Sequence, residues 1–166
     1  MRKITGLSIA LILIACVALP AFAQDNVTTL VAGGTSGNIS SSAAFTAGAD
    51  STVNGYITAV TAVTLGANCS VSGNVTAGMA FTSGDSAKIK GSVSAKAAFT
   101  SGANSVIGGK VTVGADFTSG ANSIIVGDVY VTGSVTLGAG SRILGSVHSG
   151  TGSITYGAGA TVGSVN

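Results

Sequence analysis

Proton-transfer chemistry in this chain would have to be assembled from very little. His148 is the only histidine, glutamate is absent, and the five acidic residues are all aspartate. A general acid and its base must both reach one reacting group. Asp50, Asp85, Asp116 and Asp128 fall at different phases of the repeat described below, so no two are placed as partners. A calcium cage in Gly- and Asp-rich solenoid loops needs several oxygen ligands for each ion, and here no turn supplies more than one acidic residue. Gly33-Gly34 is followed by neither a lysine nor a helix start, so it is no phosphate loop. The chain therefore reads as non-enzymatic, with no cofactor and no metal. What does recur is threonine: Thr28, Thr46, Thr64, Thr82, Thr100, Thr118 and Thr136 lie 18 residues apart, and Thr155 follows after 19. Two residues before them stand Ala44, Ala62, Ala80 and Ala98, then Asp116, Ser134 and Ser153. Such a column has interfacial chemistry, with hydroxyl and methyl groups repeated along a small, almost uncharged face.

A repeat must position that column. The heptapeptide Phe99-Thr-Ser-Gly-Ala-Asn-Ser returns unchanged from Phe117, and with its apolar residue as position zero, looser copies start at Phe45, Val63, Phe81, Val135 and Ile154, with a weaker one at Val27. A fixed period near twenty residues is the signature of a solenoid, in which each turn touches only its neighbours. Glycine recurs at position three, from Gly48 to Gly157, and at position ten, from Gly37 to Gly145. Glycine at one phase marks a corner that needs positive φ or a close backbone approach. Between the corners apolar and polar residues alternate as in half-buried strands. The Phe, Val and Ile of position zero, the column Val53 to Val162 at position eight and the column Ile39 to Val147 at position twelve are expected to form three apolar ladders. Ala59, Ala77, Ala95, Val113 and Val131 fill the space beside them, while Asn68, Asn104, Asn122 and Asp50 share position five, where side chains can bond up a stack. The expected fold is all-β: a single-domain, three-sided β-helix with about 18 residues per turn and seven to eight turns, a rod on the order of 38 Å long.

Composition agrees. Of 166 residues 26 are glycine, one is proline, 7% are charged and none is tryptophan, a balance that disfavours long helices and suits short strands with tight turns. Residues 1–23 read as a secretory leader: Arg2 and Lys3, an apolar run from Ile4 to Leu19, and Ala21-Phe22-Ala23 before Gln24. The β-solenoid domain then spans 24–166, secreted, with no membrane span after cleavage. Leu13-Ile14-Ala15-Cys16 resembles a lipobox and offers cell-surface attachment through Cys16 as the alternative. Without Arg2 and Lys3, Lys88, Lys90, Lys96, Lys110 and Arg142 face five aspartates, and a neutral surface gives no electrostatic reason to expect nucleic acid or an anionic membrane as partner. Cys69 is then the only cysteine, a packing residue sharing position six with Ser51, Ser105, Ser123 and Ser141.

The stretches Val63-Thr-Leu-Gly-Ala-Asn-Cys-Ser-Val-Ser-Gly-Asn-Val-Thr-Ala and Val135-Thr-Leu-Gly-Ala-Gly-Ser-Arg-Ile-Leu-Gly-Ser-Val resemble the β-helical repeat of the secreted ice-binding protein family, and the nineteen-residue step into Gly152-Ser-Ile-Thr-Tyr is similar to the way that family closes its helix. The resemblance covers about residues 45 to 166. It implies a three-sided solenoid that adsorbs to ice through a flat face, here Thr46, Thr64, Thr82, Thr100, Thr118, Thr136 and Thr155 with Ala44, Ala62, Ala80 and Ala98, and that restrains crystal growth or recrystallisation. The long helix which that family packs along its solenoid has no counterpart in this sequence. The alternation in Ile125-Val-Gly-Asp-Val-Tyr-Val-Thr-Gly-Ser-Val also resembles bactofilins, polymer-forming scaffold proteins. That second resemblance implies an exported structural or adhesive component whose uncapped ends, at Val162, Val165 and Asn166, stack into homo-oligomers.

Overall fold

A computed structural model of the chain describes residues 24–166. The expected leader, residues 1–23, and with it Cys16, lies outside the described residues. All described regular structure is β: 23 short strands, every pairing parallel, wound as stacked turns. Three walls result. The first is an eight-stranded stack running from Thr29–Leu30 through Phe45–Ala47, Val63–Leu65, Phe81–Ser83, Phe99–Ser101, Phe117–Ser119 and Val135–Leu137 to Ile154–Tyr156. The second is built from two-residue strands such as Lys88–Ile89, Val106–Ile107 and Ile124–Ile125, and the third from strands such as Val75–Ala77, Val93–Ala95 and Val111–Val113. The strand Arg142–Ser149 runs through the corner between the second and third walls and joins them into one fifteen-stranded sheet. Consecutive turns pair at an offset of 18, as in Val75 with Val93 and Ile107 with Ile125.

The interior follows from strand alternation. Phe45, Val63, Phe81, Phe99, Phe117 and Val135 are at most 1% exposed, and the columns Val53 to Ile143 and Ile39 to Val147 are equally buried. Phe81, Phe99 and Phe117 stack with ring centroids 5.0 and 4.8 Å apart, which is the strand spacing expressed in side chains. The fully buried columns run between Ile39 and Val147, with Val27, Leu30, Ile154 and Val162 partly buried against their ends.

Glycine at positions three and ten answers close approach, not positive φ. A Cβ on Gly120 would lie 2.4 Å from the carbonyl carbon of Gly102, and one on Gly73 would lie 2.7 Å from the carbonyl oxygen of Gly55, so the preceding turn's backbone occupies the space. The left-handed residue of the first corner is instead position five: Asp50, Asn68, Ser86, Asn104 and Asn122 have φ between 56° and 60°, with Gly33, Gly140 and Gly159 in the same role. Asn and Asp tolerate that conformation better than other side chains. The anticipated amide ladder reduces to one rung there, Asn68 Nδ2 donating to Asp50 Oδ1 at 3.0 Å; Ser86 interrupts the column, and Asn104 and Asn122 are not bonded to each other.

The first turn corrects the sequence register. Thr29, not Thr28, pairs with Thr46, and Leu30 pairs with Ala47. The chain takes three steps from Ser36 to Ile39 where the next turn takes four from Val53 to Ile57, so the strands Thr29–Leu30 and Thr35–Ser36 slide by one. A slip of one residue exchanges the two faces of a strand, so Thr29 takes the outward place and Leu30 packs partly buried against the core, as Val27 does, while Thr28 is exposed at the end of the stack.

Candidate functional site

The threonine wall is made by strands of only three residues in which the outer two point inward. In Phe99–Ser101, Phe99 and Ser101 are buried and Thr100 is exposed, and the same buried, exposed, buried pattern holds from Phe45–Ala47 to Val135–Leu137. Parallel pairing in register sets like against like: Thr46 faces Thr64, Thr64 faces Thr82, Thr82 faces Thr100, and Thr100 faces Thr118, which continues through Thr136 to Thr155. With Thr29 the ladder has eight members, one in each strand of the wall. All are exposed, and no described segment covers them.

The flanks keep this face flat. On one side lies the position-three glycine column. On the other stand Ala44 and Ala98, exposed, with Ala62 and Ala80 half-buried. Beyond Ala98 the column changes to Asp116, whose Oδ1 accepts the backbone N–H of Ser134 at 2.8 Å, so one carboxylate enters an otherwise neutral border. Among the described residues the ladder hydroxyls have no hydrogen-bond partner in the protein. Their χ1 is stiff because threonine is β-branched. The wall thus presents hydroxyls at about 4.8 Å intervals, free to bond outward.

Elsewhere the polar residues serve the stack. Asp85 Oδ1 accepts the N–H of Ala103 at 2.7 Å, Asp128 Oδ1 that of Ser146 at 2.8 Å, and Asn74 Oδ1 that of Ser92 at 2.8 Å, each donor lying 18 residues ahead. The carboxylates are distributed among different corners as backbone acceptors. Cys69 is buried, its Sγ 3.1 Å from the Gly48 carbonyl oxygen, and burial pushes the thiol above its ordinary range. Ser105 and Ser123 donate from the same column to Gly84 and Gly102, so Cys69 occupies a serine's place in a ladder of buried donors. Among the described residues no group of three or more His, Cys, Asp or Glu comes together to hold a metal, and no helix is long and apolar enough to cross a membrane.

On the third wall His148 stacks face to face on Tyr130, ring centroids 4.5 Å apart and 2° from parallel, with Lys110 Nζ 6.0 Å from the Tyr130 ring. The eighteen-residue spacing of Tyr130 and His148 is the signal in the sequence that reveals this stack. Comparison of the chain with protein-family models, with curated proteins and with solved structures finds no match.

Proposed function

We propose that the protein is a secreted, non-enzymatic ice-binding solenoid, and that the threonine wall, Thr46 to Thr155 with Ala44, Ala62, Ala80 and Ala98, is its adsorbing face. The observation that carries this reading is the unbroken, exposed threonine ladder with no protein partner for its hydroxyls. A planar array on a hydrogen-bonded wall meets an extended solid surface by many weak contacts made at once, and a face already held rigid loses little conformational entropy on binding. The hydroxyls hold water laterally and the methyl groups limit the orientations that water can take. The proposed outcome is adsorption that slows crystal growth or recrystallisation, with no cofactor. Thermal hysteresis and recrystallisation inhibition measured on purified protein test it, and zero activity at high concentration removes it.

A second reading is an exported structural or adhesive component that self-assembles through its ends. It is favoured by the last turn, where Tyr156 and Val165 are 45% and 53% exposed and no charged residue follows Arg142. An unpaired terminal strand with an apolar surface invites another. Filaments in electron micrographs of the purified protein would support this reading, and isolated short rods the ice binder.

A further inference from the structure

The second wall changes character halfway along the rod. In one outward column Lys88 is followed by Val106 and Ile124 and then by Arg142, paired in that order turn by turn. In the column beside it Val126 and Leu144 stand one turn apart. Ile124, Val126 and Leu144 are 36%, 48% and 52% exposed. The core does not require them, because Ile107, Ile125 and Ile143 already fill the inward positions of the same strands. Large aliphatic side chains gathered in water on a wall that is polar in its first half, at Thr52, Ser70 and Lys88, mark an interaction surface.

Charge and shape narrow the partner. Although five cations balance five aspartates over residues 24–166, three of those cations border the patch, Lys88 and Lys90 at one end and Arg142 at the other, while Lys110 lies over the Tyr130 ring of the third wall. Among the described residues none of the three is held in an ion pair. The carboxylates nearest in sequence, Asp85 and Asp128, accept the backbone N–H groups of Ala103 and Ser146. The strands that carry the patch are paired on both sides, so no free edge offers itself to a peptide. Four side chains also fall short of the roughly 800 Å² per partner that a standard protein interface buries.

We propose that the second wall adsorbs to a lipid surface bearing anionic headgroups. Val106, Ile124, Val126 and Leu144 enter the boundary between headgroups and acyl chains, while Lys88, Lys90 and Arg142 reach past them to the phosphates on long flexible stems. The threonine wall lies on a different side of the rod, so this inference does not rest on the ice-binding reading.

Residues 24–166, which contain every core column, are sedimented with vesicles of phosphatidylcholine alone and of phosphatidylcholine mixed with phosphatidylglycerol. The parent chain is expected to bind the mixed vesicles and to be released by salt. Val126→Asn with Leu144→Asn should lower the partition coefficient at least about tenfold, and Lys88→Ser with Lys90→Ser about fivefold for each cation removed. Thr64→Asn with Thr82→Asn, on the threonine wall, should bind as the parent does. Circular dichroism checks each fold, with Ile124→Thr as the milder replacement should the asparagine pair unfold. No binding of the parent to mixed vesicles, or binding unchanged by the patch substitutions, overturns the proposal. So does a parent dimer in solution that Leu144→Asn converts to monomer, since the patch would then be covered by a second copy.

Discussion

The threonine wall and the third wall are built alike and used differently. Through their middle turns both consist of three-residue parallel strands, both repeat at 18, and both bury their first and third residues. In the third wall the central outward residue runs Ser40, Thr58, Thr76, Ser94, Thr112, Tyr130, His148. In the threonine wall it never changes. Tyrosine, histidine and serine all fit the same backbone one wall away, so strand propensity and cross-strand pairing, worth a few tenths of a kcal/mol for each pair, do not require eight identical residues. The contrast separates what the fold demands, which is the inward columns, from what only the outside of one wall demands.

The sharpest way to break that contrast is to remove what both walls share. Phe99→Ala takes the middle ring from the Phe81, Phe99, Phe117 stack and should cost about 3–5 kcal/mol in denaturant unfolding, weakening every face at once. Next in size, Asp128→Ala leaves the Ser146 N–H without its acceptor at the corner joining the second and third walls, and should cost about 1–2 kcal/mol by the same measurement. Cys69→Ser supplies the hydroxyl donor found at Ser51 one turn before and at Ser105 two turns after, with Ala87 between, and should change stability by less than about 1 kcal/mol. Because burial raises the thiol, iodoacetamide at mildly alkaline pH should modify Cys69 only after unfolding. Smallest of all, paired lysines in either outward column, Thr100→Lys with Thr118→Lys or Thr58→Lys with Thr76→Lys, should shift stability by about 0.5–1 kcal/mol from like-charge contact. Their effects on stability should be alike, which makes them a matched pair for function.

Most of the fold was legible because a period, once found, converts one dimension into two. Residues 18 apart became neighbours, and the buried columns of Phe99, Ile107 and Val111 followed from alternation alone. The threonine column and its alanine border were legible for the same reason. Three things were not. The first turn was misread because Val27 imitates position zero while the missing residue lies downstream, at the corner after Ser36. Positive φ was assigned to glycine as one of two options, whereas the left-handed corner is held mainly by Asp50, Asn68, Asn104 and Asn122. The carboxylates of Asp85, Asp116 and Asp128 looked like scattered singletons because their partners are backbone N–H groups, which have no letter in a sequence.

Ice-crystal growth rate in the presence of three proteins, the parent chain, Thr100→Lys with Thr118→Lys, and Thr58→Lys with Thr76→Lys, separates the walls by function. The parent and the third-wall variant should slow growth equally, and the threonine-wall variant should not slow it at all. Equal activity in all three, or equal loss in both variants, would contradict the assignment of ice adsorption to the threonine ladder.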